Sequence, residues 1–333
     1  MSESMNLGSR AGQHLLSVAD LGTDGLAETL EVAEAFREVE NRSMRKVPTL
    51  KGKVVASLFF EESTRTRLSF ETAAKRLSAD VLSLAVASSS VKKGESLRDT
   101  VETIEAMGID AVVLRHRSAG APHQVARWVG RARVLNAGDG SHEHPTQALI
   151  DLFTVRQALC EQRSMTSEGS GLSPFEGLEV LIIGDIRHSR VARSQILAYS
   201  LAGATVKVAA PGTLLPSDLT GWPLEIADDL DEALRTADVV SVLRMQEERG
   251  SGSFVPSLHE FTATYGLTER RAALLKNDAI VTHPGPMVRG VEIASSVADS
   301  QQCLVRRQVS NGVPVRMAAL FLALSSKEES RGA

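Results

Sequence analysis

Short apolar segments alternate with amphipathic segments along most of this 333-residue chain, and this alternation restricts the fold more than any other feature. Apolar runs without polar alternation are typical of strands buried on both faces of a parallel sheet. Such strands are predicted at 53–60, 81–86, 110–115, 133–137, 179–184, 205–209, 238–243 and 278–282. Helices are predicted between and after them, at about 64–78, 95–107, 121–130, 145–161, 190–202, 229–236, 268–276 and 314–324. This order predicts an α/β fold with parallel sheets.

The alternation is interrupted once, by a segment rich in Ser and Gly at 163–174. A segment without periodicity is typical of a solvated loop beside a domain boundary. We therefore predict two doubly wound α/β domains, each with a central parallel sheet, at residues 1–150 and 151–312. The helix predicted at 145–161 would cross from the first domain to the second. A C-terminal return helix at about 313–326 would complete the first domain.

Composition and motif content argue against several classes of protein. The net charge is −4, so no overall field attracts nucleic acid. No apolar run approaches the roughly 20 residues that span a bilayer, and the N-terminus lacks the apolar core of a signal peptide. Cys160 and Cys303 lie far apart, and we expect them to be reduced, as in a cytoplasmic protein. The chain also lacks the G-x-G-x-x-G and Walker-type glycine motifs of nucleotide-binding proteins.

A motif rich in hydroxyls and arginine lies where the first predicted strand gives way to a helix. Ser63-Thr64-Arg65-Thr66-Arg67 follows the strand at 53–60 and opens the helix at 64–78. The N-terminus of a helix attracts anions because its first backbone N–H groups have no partner within the helix and the macrodipole is positive there. With hydroxyls and a guanidinium added, the motif predicts a phosphate site. The alternative is an ordinary Ser/Thr N-cap followed by surface arginines.

Cationic residues also follow other predicted strands of the first domain. In open parallel sheets, ligands bind beyond the carboxyl ends of the strands. Arg115 ends the strand at 110–115, where its guanidinium could donate to a carbonyl or phosphate oxygen. Lys93 lies beside Gly94 in a loop that leads into a helix, where it could meet a phosphate or a carboxylate. The alternatives are an edge charge and a solvated surface lysine.

A histidine-rich segment precedes the helix predicted at 145–161. His142 and His144 flank Glu143, a combination that is compatible with a metal site. No further cluster of ligands is evident and no H-E-x-x-H spacing occurs, so we predict no metal. His144 and Gln147 instead stand three residues apart at the start of the helix, where both could touch one small polar group.

In the second domain, two arginines follow predicted strands. Arg190 opens a helix shortly after the strand at 179–184 and could bind a carboxylate. Arg244 follows the strand at 238–243 and precedes a Gly/Ser stretch at 250–253. This combination resembles a mobile closing loop, and a plain surface loop is the alternative.

A proline-rich turn, His283-Pro284-Gly285-Pro286, follows the last predicted strand. Two prolines around a glycine fix the backbone and leave carbonyl oxygens exposed as hydrogen-bond acceptors. Such a rigid turn is also a place where a cis X-Pro bond can occur.

These motifs together resemble the transcarbamoylase superfamily, and within it the catalytic subunits of the aspartate carbamoyltransferase family. The matching stretches are 59–71, 93–96, 144–147 and 283–286. The Ser-Thr-Arg-Thr-Arg motif is shared by all transcarbamoylases, whereas the His-Pro-Gly-Pro turn and the pair Arg244 and Gln246 are more specific to the aspartate enzymes. One departure is Glu62, where many relatives carry proline, and we expect it to affect rigidity more than chemistry.

The resemblance implies a set of site residues. Those implied to bind carbamoyl phosphate are Ser63, Thr64, Arg65, Thr66, Arg115, His144, Gln147, Gly285 and Pro286. Within that set, the implied catalytic residues are Arg65, Thr66, Arg115 and His144. Those implied to bind aspartate are Lys93, Arg190, Arg244 and Gln246. Ser89 and Lys93 are implied to reach the site from a neighbouring subunit of a homotrimer.

The function implied by the resemblance is transfer of the carbamoyl group of carbamoyl phosphate to the α-amine of L-aspartate. The products would be N-carbamoyl-L-aspartate and phosphate, in an early step of de novo pyrimidine biosynthesis. No cofactor is expected, nor a nucleic acid or membrane partner, whereas regulatory or other pathway chains are possible. One alternative is an ornithine-type transcarbamoylase, although its cationic substrate would favour a carboxylate where Arg244 stands. Another is a catalytically silent scaffold homologue.

Overall fold

The computed structural model describes residues 12–40, 42–84, 95–245 and 254–325. The chain divides into two compact units. The first contains the residues up to Leu149 and those from Asn311 onward, and the second contains Ile150–Ser310. Each unit has its own parallel sheet with helices around it, so the predicted fold class is confirmed.

The first unit is built on a four-stranded parallel sheet in the order β2-β1-β3-β4. Its elements begin with α1 (Gly22–Glu40), β1 (Val54–Phe59), α2 (Thr64–Arg76), β2 (Asp80–Leu84), α3 (Leu97–Ala106), β3 (Ala111–His116), α4 (Ala121–Trp128) and β4 (Arg133–Asp139). The interior strands β1 and β3 are mostly buried, and their residues Leu58, Val112 and Leu114 are part of one hydrophobic core. The edge strand β2 is largely exposed. Phe59 pairs with Arg115 at the carboxyl end of β1 and β3, and that end carries the candidate site.

The second unit is built on a five-stranded parallel sheet in the order β7-β6-β5-β8-β9. Its elements follow α5 (Pro145–Gln162) and are β5 (Glu179–Ile183), α6 (Arg190–Leu201), β6 (Thr205–Ala209), β7 (Glu225–Ile226), α7 (Leu230–Thr236), β8 (Val239–Val242), α8 (Leu258–Tyr265), α9 (Glu269–Ala272), β9 (Ile280–Thr282) and α10 (Ser295–Ala298). Helix α11 (Val305–Leu324) begins in this unit, and its residues from Asn311 onward belong to the first unit. Its core includes Leu181, Val240 and Val281 from neighbouring strands. Both unit boundaries fall inside helices, in α5 and in α11.

The last helix begins earlier than the sequence predicts. A start near 314 was predicted, but α11 begins at Val305 and continues through Pro314. Because proline has no N–H, the carbonyl of Ser310 receives no hydrogen bond from residue 314. The helix continues because the residues beyond Pro314, such as Val315 and Leu320, are completely buried. Tertiary packing therefore overrides the local cost of proline.

The predicted strands are confirmed to within a few residues, and most of the predicted helices are found. Helices α1 and α8, the short α10 and the two-residue β7 were not predicted. The helix predicted at 268–276 is only the short α9. None of the described helices combines the length and the hydropathy that a membrane span requires.

Candidate active site

Helix α2 begins with an unused cap at the carboxyl end of the first sheet. Ser63 has the extended conformation of an N-cap residue (φ −164°, ψ 95°), yet its side chain makes no capping hydrogen bond within the described part of the chain. The first turn also contains no acidic residue. Thr66 is buried against the unit, whereas Thr64 and Arg65 are exposed. A helix N-terminus in this state, surrounded by hydroxyls and a guanidinium, is a favourable site for a phosphate.

A buried arginine fixes the position of α2. Arg316 in α11 donates from Nη1 to the hydroxyl of Ser69 at 2.8 Å. Its guanidinium also lies over the ring of Phe70, 5.1 Å from the centroid. Both contacts lie within the first two turns of α2, so they hold the helix and the direction in which its N-terminus points.

Arg115 is anchored at the end of β3. Its Nη2 lies 2.9 Å from Glu61 Oε1, and its Nη1 donates to the carbonyl of Ala137 at 3.3 Å. The residue is only 9% exposed. These two contacts come from the loop after β1 and from β4, so they fix the guanidinium at the sheet edge where the sequence predicts it.

The loop after β4 is organised by the buried carboxylate of Asp139. It accepts hydrogen bonds from the side chain of Asn136 (3.0 Å), from the N–H of Gly120 (2.7 Å) and from the N–H of Glu143 (3.1 Å), and His142 Nδ1 lies 3.1 Å away. Burial opposes ionisation of Asp139, but the hydrogen bonds from His142, Asn136 and Gly120 outweigh it and lower the pKa of the carboxyl.

A glycine completes the same loop. At Gly140 (φ +47°) an added Cβ would lie 2.8 Å from the backbone nitrogen of Ala119, which is too close for any larger residue. The tight approach lets the loop pass beside the segment that precedes α4.

Glu143 ties this loop to the N-terminal segment of the unit. Its Oε1 lies 2.5 Å from Ser17 Oγ, and its Oε2 accepts from the N–H of Val18 at 2.9 Å. The following residue, His144, is buried and precedes α5, where its carbonyl accepts from the N–H of Gln147 at 2.9 Å. The contacts of Glu143 therefore fix the residue next to a predicted catalytic histidine.

One group of side chains in the described ranges has the composition of a metal site. Ligand atoms of His123, Asp139 and His142 lie within 4.8 Å of one another. The sequence-based argument considered Glu143 and His144 as partners of His142 and missed His123, which lies in the preceding helix α4. Both oxygens of Asp139 already accept hydrogen bonds, so the group is a hydrogen-bonded network in which two histidines could ligate a metal ion.

In the second unit, the loop after β5 presents Arg190. Gly184 (φ +125°) lets this loop approach the next strand, because an added Cβ would lie 3.1 Å from Leu243 Cβ. Asp185 then accepts from the backbone N–H of His188 at 3.0 Å. Ser189 caps α6 by accepting from the N–H of Ala192 at 3.1 Å. Arg190, the first residue of α6, is only 4% exposed.

Arg244 and the proline-rich turn follow the two neighbouring strands. Leu243 donates to the carbonyl of Ile183 at 2.8 Å, which brings the segment after β8 beside the end of β5. Arg244 is half-buried there. The turn that contains Gly285 and Pro286 follows β9, the next strand in the sheet, and the Gly285–Pro286 bond is cis. Three candidate segments thus lie at the same edge of one sheet.

The two sheets account for most of the predicted site residues. At the carboxyl edge of the first sheet lie Ser63, Thr64, Arg65, Thr66, Arg115, His144 and Gln147. At the carboxyl edge of the second sheet lie Arg190, Arg244, Gly285 and Pro286. Outside the described residues lie Ser89, Lys93 and Gln246.

Sequence-based prediction missed the contacts that fix the predicted site residues of the first unit and the loops beside them, and thus the role of the residues that make these contacts. They are Ser17, Glu61, Asp139, Glu143 and Arg316. A signal existed for one of them, because Asn136-Ala137-Gly138-Asp139-Gly140 follows a predicted strand with a polar, glycine-rich turn.

Two family profiles match the chain and together cover most of it. The profile described as the carbamoyl-phosphate-binding domain of aspartate/ornithine carbamoyltransferase matches residues 13–157. The profile described as the Asp/Orn-binding domain of the same enzymes matches residues 176–323.

Curated relatives align over almost their whole length. A protein of Parafrankia sp. named aspartate carbamoyltransferase catalytic subunit is 53% identical over 318 residues, which cover 96% of this chain and 98% of that protein. A Rhodococcus jostii protein of the same name is 50% identical over 326 residues, which cover 96% of this chain and all of that protein.

Solved structures of aspartate transcarbamoylases are also similar to this chain over nearly its whole length. Aspartate transcarbamoylase from Trypanosoma cruzi in complex with carbamoyl phosphate has a TM-score of 0.83 at 29% identity, with 97% of this chain and 100% of that chain covered. The catalytic subunit of the M. jannaschii aspartate transcarbamoylase has a TM-score of 0.77 at 34% identity, with 96% and 100% covered.

Proposed function

The chain belongs to the aspartate/ornithine carbamoyltransferase family, and we propose that it transfers the carbamoyl group of carbamoyl phosphate to the α-amine of L-aspartate. The products are N-carbamoyl-L-aspartate and phosphate. The observation that carries the choice of aspartate is the pair of arginines, Arg190 and Arg244, in the segments that follow the neighbouring strands β5 and β8. Two guanidinium groups suit the two carboxylates of aspartate and would repel the cationic side chain of ornithine.

The phosphate of carbamoyl phosphate binds at the N-terminus of α2 in this proposal. Support comes from the unused cap at Ser63 and from the absence of an acidic residue in the first turn of this described helix. Arg65 supplies a guanidinium, and Thr64 and Thr66 supply hydroxyls. These groups also stabilise the charge that phosphate gains as it leaves.

The carbonyl oxygen of the carbamoyl group faces Thr66, Arg115 and His144 in this proposal. As the amine of aspartate attacks the carbamoyl carbon, negative charge develops on this oxygen. Arg115 is held by Glu61 and Ala137, so its guanidinium is oriented before the substrate binds. Donors that need no reorganisation stabilise the transition state more than mobile ones do.

Positioning of the two substrates supplies the rest of the catalysis. Holding two reactants in a reactive geometry can lower a barrier by up to roughly 7–11 kcal/mol in favourable cases. The mechanism needs no protein nucleophile, and the departing phosphate is a candidate to accept the proton of the amine. Gln147 and the backbone at Gly285 and Pro286 hold the carbamoyl NH2.

The assembly is also a proposal. We propose a homotrimer that acts in the cytoplasm, in which Ser89 and Lys93 of one subunit complete the site of the next, and Gln246 assists in binding aspartate. All three residues lie outside the described ranges. Regulatory or other pathway chains are further candidate partners, as the resemblance implies.

To test this proposal, the purified protein is incubated with carbamoyl phosphate and either aspartate or ornithine. The carbamoylated product is then identified by mass spectrometry. The proposal expects N-carbamoyl-L-aspartate and an equal amount of phosphate, with no citrulline. Citrulline as the main product would support the ornithine alternative. No product with either amine would support the silent homologue.

A further inference from the structure

The His-Asp-His cluster, formed by His123, Asp139 and His142, lies where two loops of the first unit meet. The backbone N–H of Gly140, in the loop after β4, donates to the carbonyl of the last residue of β3 at 2.9 Å. The N–H of Gly120, the N-cap residue of α4, donates to Asp139 Oδ2 at 2.7 Å. These hydrogen bonds hold the start of α4, which carries His123, against the loop that carries the other two members of the cluster.

Asp139 is the rigid member of the cluster. Its carboxylate is completely buried, and Oδ1 accepts from the side chain of Asn136 at 3.0 Å and from the N–H of Glu143 at 3.1 Å. Asn136 is itself fixed, because its Nδ2 also donates to the carbonyl of Leu16 at 2.9 Å and its Oδ1 accepts from the N–H of Gly138 at 2.9 Å. Hydrogen bonds that orient a ligand from outside raise the affinity for a metal ion, and this carboxylate has them.

His142 is held beside this carboxylate at the spacing of two metal ligands. Its Nδ1 lies 3.1 Å from Asp139 Oδ2 and 3.3 Å from Oδ1. Neighbouring ligands of a tetrahedral Zn²⁺ ion, with bonds of about 2.0–2.1 Å, lie roughly 3.3 Å apart. An ion would replace only the hydrogen bond between His142 and Asp139, because a neutral imidazole can carry its proton on Nε2 instead.

His123 supplies the third ligand. Its Nδ1 is buried and has no hydrogen-bond partner among the residues that the structure describes, so the ring gives up no hydrogen bond through this nitrogen when it turns toward an ion. The ring packs edge-on against that of His142, with the centroids 5.8 Å apart. One ligand atom from each of the three residues lies within 4.8 Å of the other two. A small movement of the His123 side chain therefore closes the site.

The cluster is open to solvent on the side of its histidines. The side chain of His142 is 37% exposed and His123 is half-buried, whereas Asp139 lies at the inner end. Two imidazoles and a carboxylate form a donor set that suits Zn²⁺ and related transition-metal ions, with water in the fourth position. Mg²⁺ and Ca²⁺ prefer sites made of oxygen atoms alone.

We propose that His123, Asp139 and His142 bind one transition-metal ion of the Zn²⁺ class, through one nitrogen of each histidine and Oδ2 of Asp139. The prediction of no metal considered His142 with Glu143 and His144, whereas this set depends on a residue that the fold brings in from α4. The ion takes no part in the proposed reaction. It links the start of α4 to the loop after β4, and it stabilises the first unit because the unfolded chain has no such site.

Two substitutions remove one ligand each and keep the surrounding contacts. His123→Phe keeps an aromatic ring that packs against His142 and removes both ring nitrogens. His142→Asn places an amide nitrogen near the position of Nδ1, so it keeps a donor for Asp139 and removes the imidazole. His259→Gln, at an exposed histidine of α8, is the matched control. All four proteins are full-length and carry no histidine tag.

The measurements are Zn²⁺ binding by equilibrium dialysis and the thermal midpoint with and without Zn²⁺. We expect one Zn²⁺ per wild-type chain, a higher thermal midpoint when Zn²⁺ is present, and no displacement of Zn²⁺ by Mg²⁺. His123→Phe and His142→Asn should bind Zn²⁺ at least about 10- to 100-fold more weakly, because even groups that only orient a ligand contribute that much. Their thermal midpoints should rise less with Zn²⁺, and His259→Gln should follow the wild type.

A spectroscopic measurement counts the ligands directly. Pulsed EPR of bound Cu²⁺ should detect two imidazoles in the wild-type protein and one in either cluster variant. A single imidazole in the wild type, or Zn²⁺ binding of wild-type affinity in either variant that folds, would overturn the proposal, as would a wild-type chain that binds no Zn²⁺. None of these measurements uses carbamoyl transfer, so failure of the proposed function would leave them unchanged.

Discussion

Helices α2 and α6 both follow a strand at the carboxyl edge of a parallel sheet, and each is preceded by a serine in an extended conformation. Ser189 uses its hydroxyl to cap α6, whereas Ser63 makes no capping bond to any described residue. One N–H of the first turn of α6 is thus bound by the chain's own serine, and Arg190 is the charged residue that begins this helix. The N-terminus of α2 offers backbone N–H groups, hydroxyls and a guanidinium together.

The difference corresponds to the two kinds of anion in the proposed reaction. A phosphate has several oxygens around one centre and fits a cluster of donors at one helix terminus. The two carboxylates of aspartate lie apart, so they fit two separate guanidinium groups on neighbouring strands. If the N-termini of both helices were capped in the same way, capping would not distinguish the proposed phosphate site from the proposed carboxylate site.

The largest predicted effect follows from removing the cation at the uncapped helix. Arg65→Ala should lower kcat/KM for carbamoyl phosphate by about a thousandfold, because a charged donor to the leaving phosphate is lost. Arg65 is exposed, so the thermal midpoint should change little. Lys75→Ala, at an exposed cation further along α2, is the control and should retain activity. Near-normal turnover of Arg65→Ala would refute the phosphate assignment.

A smaller and differently directed effect is expected in the second unit. Arg244→Ala removes one charged partner of aspartate, worth about 1.5–3 kcal/mol, so KM for aspartate should rise about 10- to 100-fold. KM for carbamoyl phosphate should change little. Arg235→Ala, at an exposed arginine of α7, should alter neither constant. Steady-state kinetics with each substrate varied in turn measures both constants. A rise in KM for carbamoyl phosphate alone would contradict the assignment of Arg244 to aspartate.

The two serines provide the most direct test of the comparison. Ser189→Ala should lower the free energy of unfolding by about 1 kcal/mol, because a used cap is lost. Ser63→Ala should leave stability unchanged and lower kcat/KM for carbamoyl phosphate about tenfold, because its hydroxyl is kept for the ligand. Urea denaturation and kinetics on both variants measure the two effects. Loss of stability in Ser63→Ala would mean that this serine is an ordinary cap.

The sequence was sufficient where the relevant residues are contiguous. The strand, the serine and the first turn of α2 lie within residues 54–67, so period and motif predicted the strand, the helix and the hydroxyls and arginines at the helix N-terminus. The same holds for the loop from Gly184 to Arg190. Local periodicity carries this information because the strand, turn and helix are each fixed by near neighbours.

The supports of the site could not be predicted because they join distant parts of the chain. Ser17 donates to Glu143. The backbone N–H of His283 donates to the side chain of Gln308, which in turn donates to Asp151. A single sequence gives no register between such segments, so a buried polar residue cannot be matched to its partner. The early start of α11 was missed for the opposite reason, since the local signal at Pro314 was clear and packing overrode it.

The smallest predicted effect concerns the pH dependence of stability in the first unit, through His14. His14 Nδ1 accepts from the N–H of Val134 at 3.0 Å, beside the segment that carries Ser17. Burial, followed by the charge of Arg133, lowers the pKa of His14 from its ordinary value of 6.5. The unfolded chain therefore binds the proton first as the pH falls below about 6.5, and stability is lost below that value and kept above it. His14→Asn keeps an acceptor for Val134 and cannot titrate, so its urea midpoint should fall less between about pH 7.5 and 5.5 than that of the wild type. His259→Asn, at an exposed histidine of α8, is the control and should follow the wild type. An identical decline in His14→Asn would show that other groups cause the acid sensitivity.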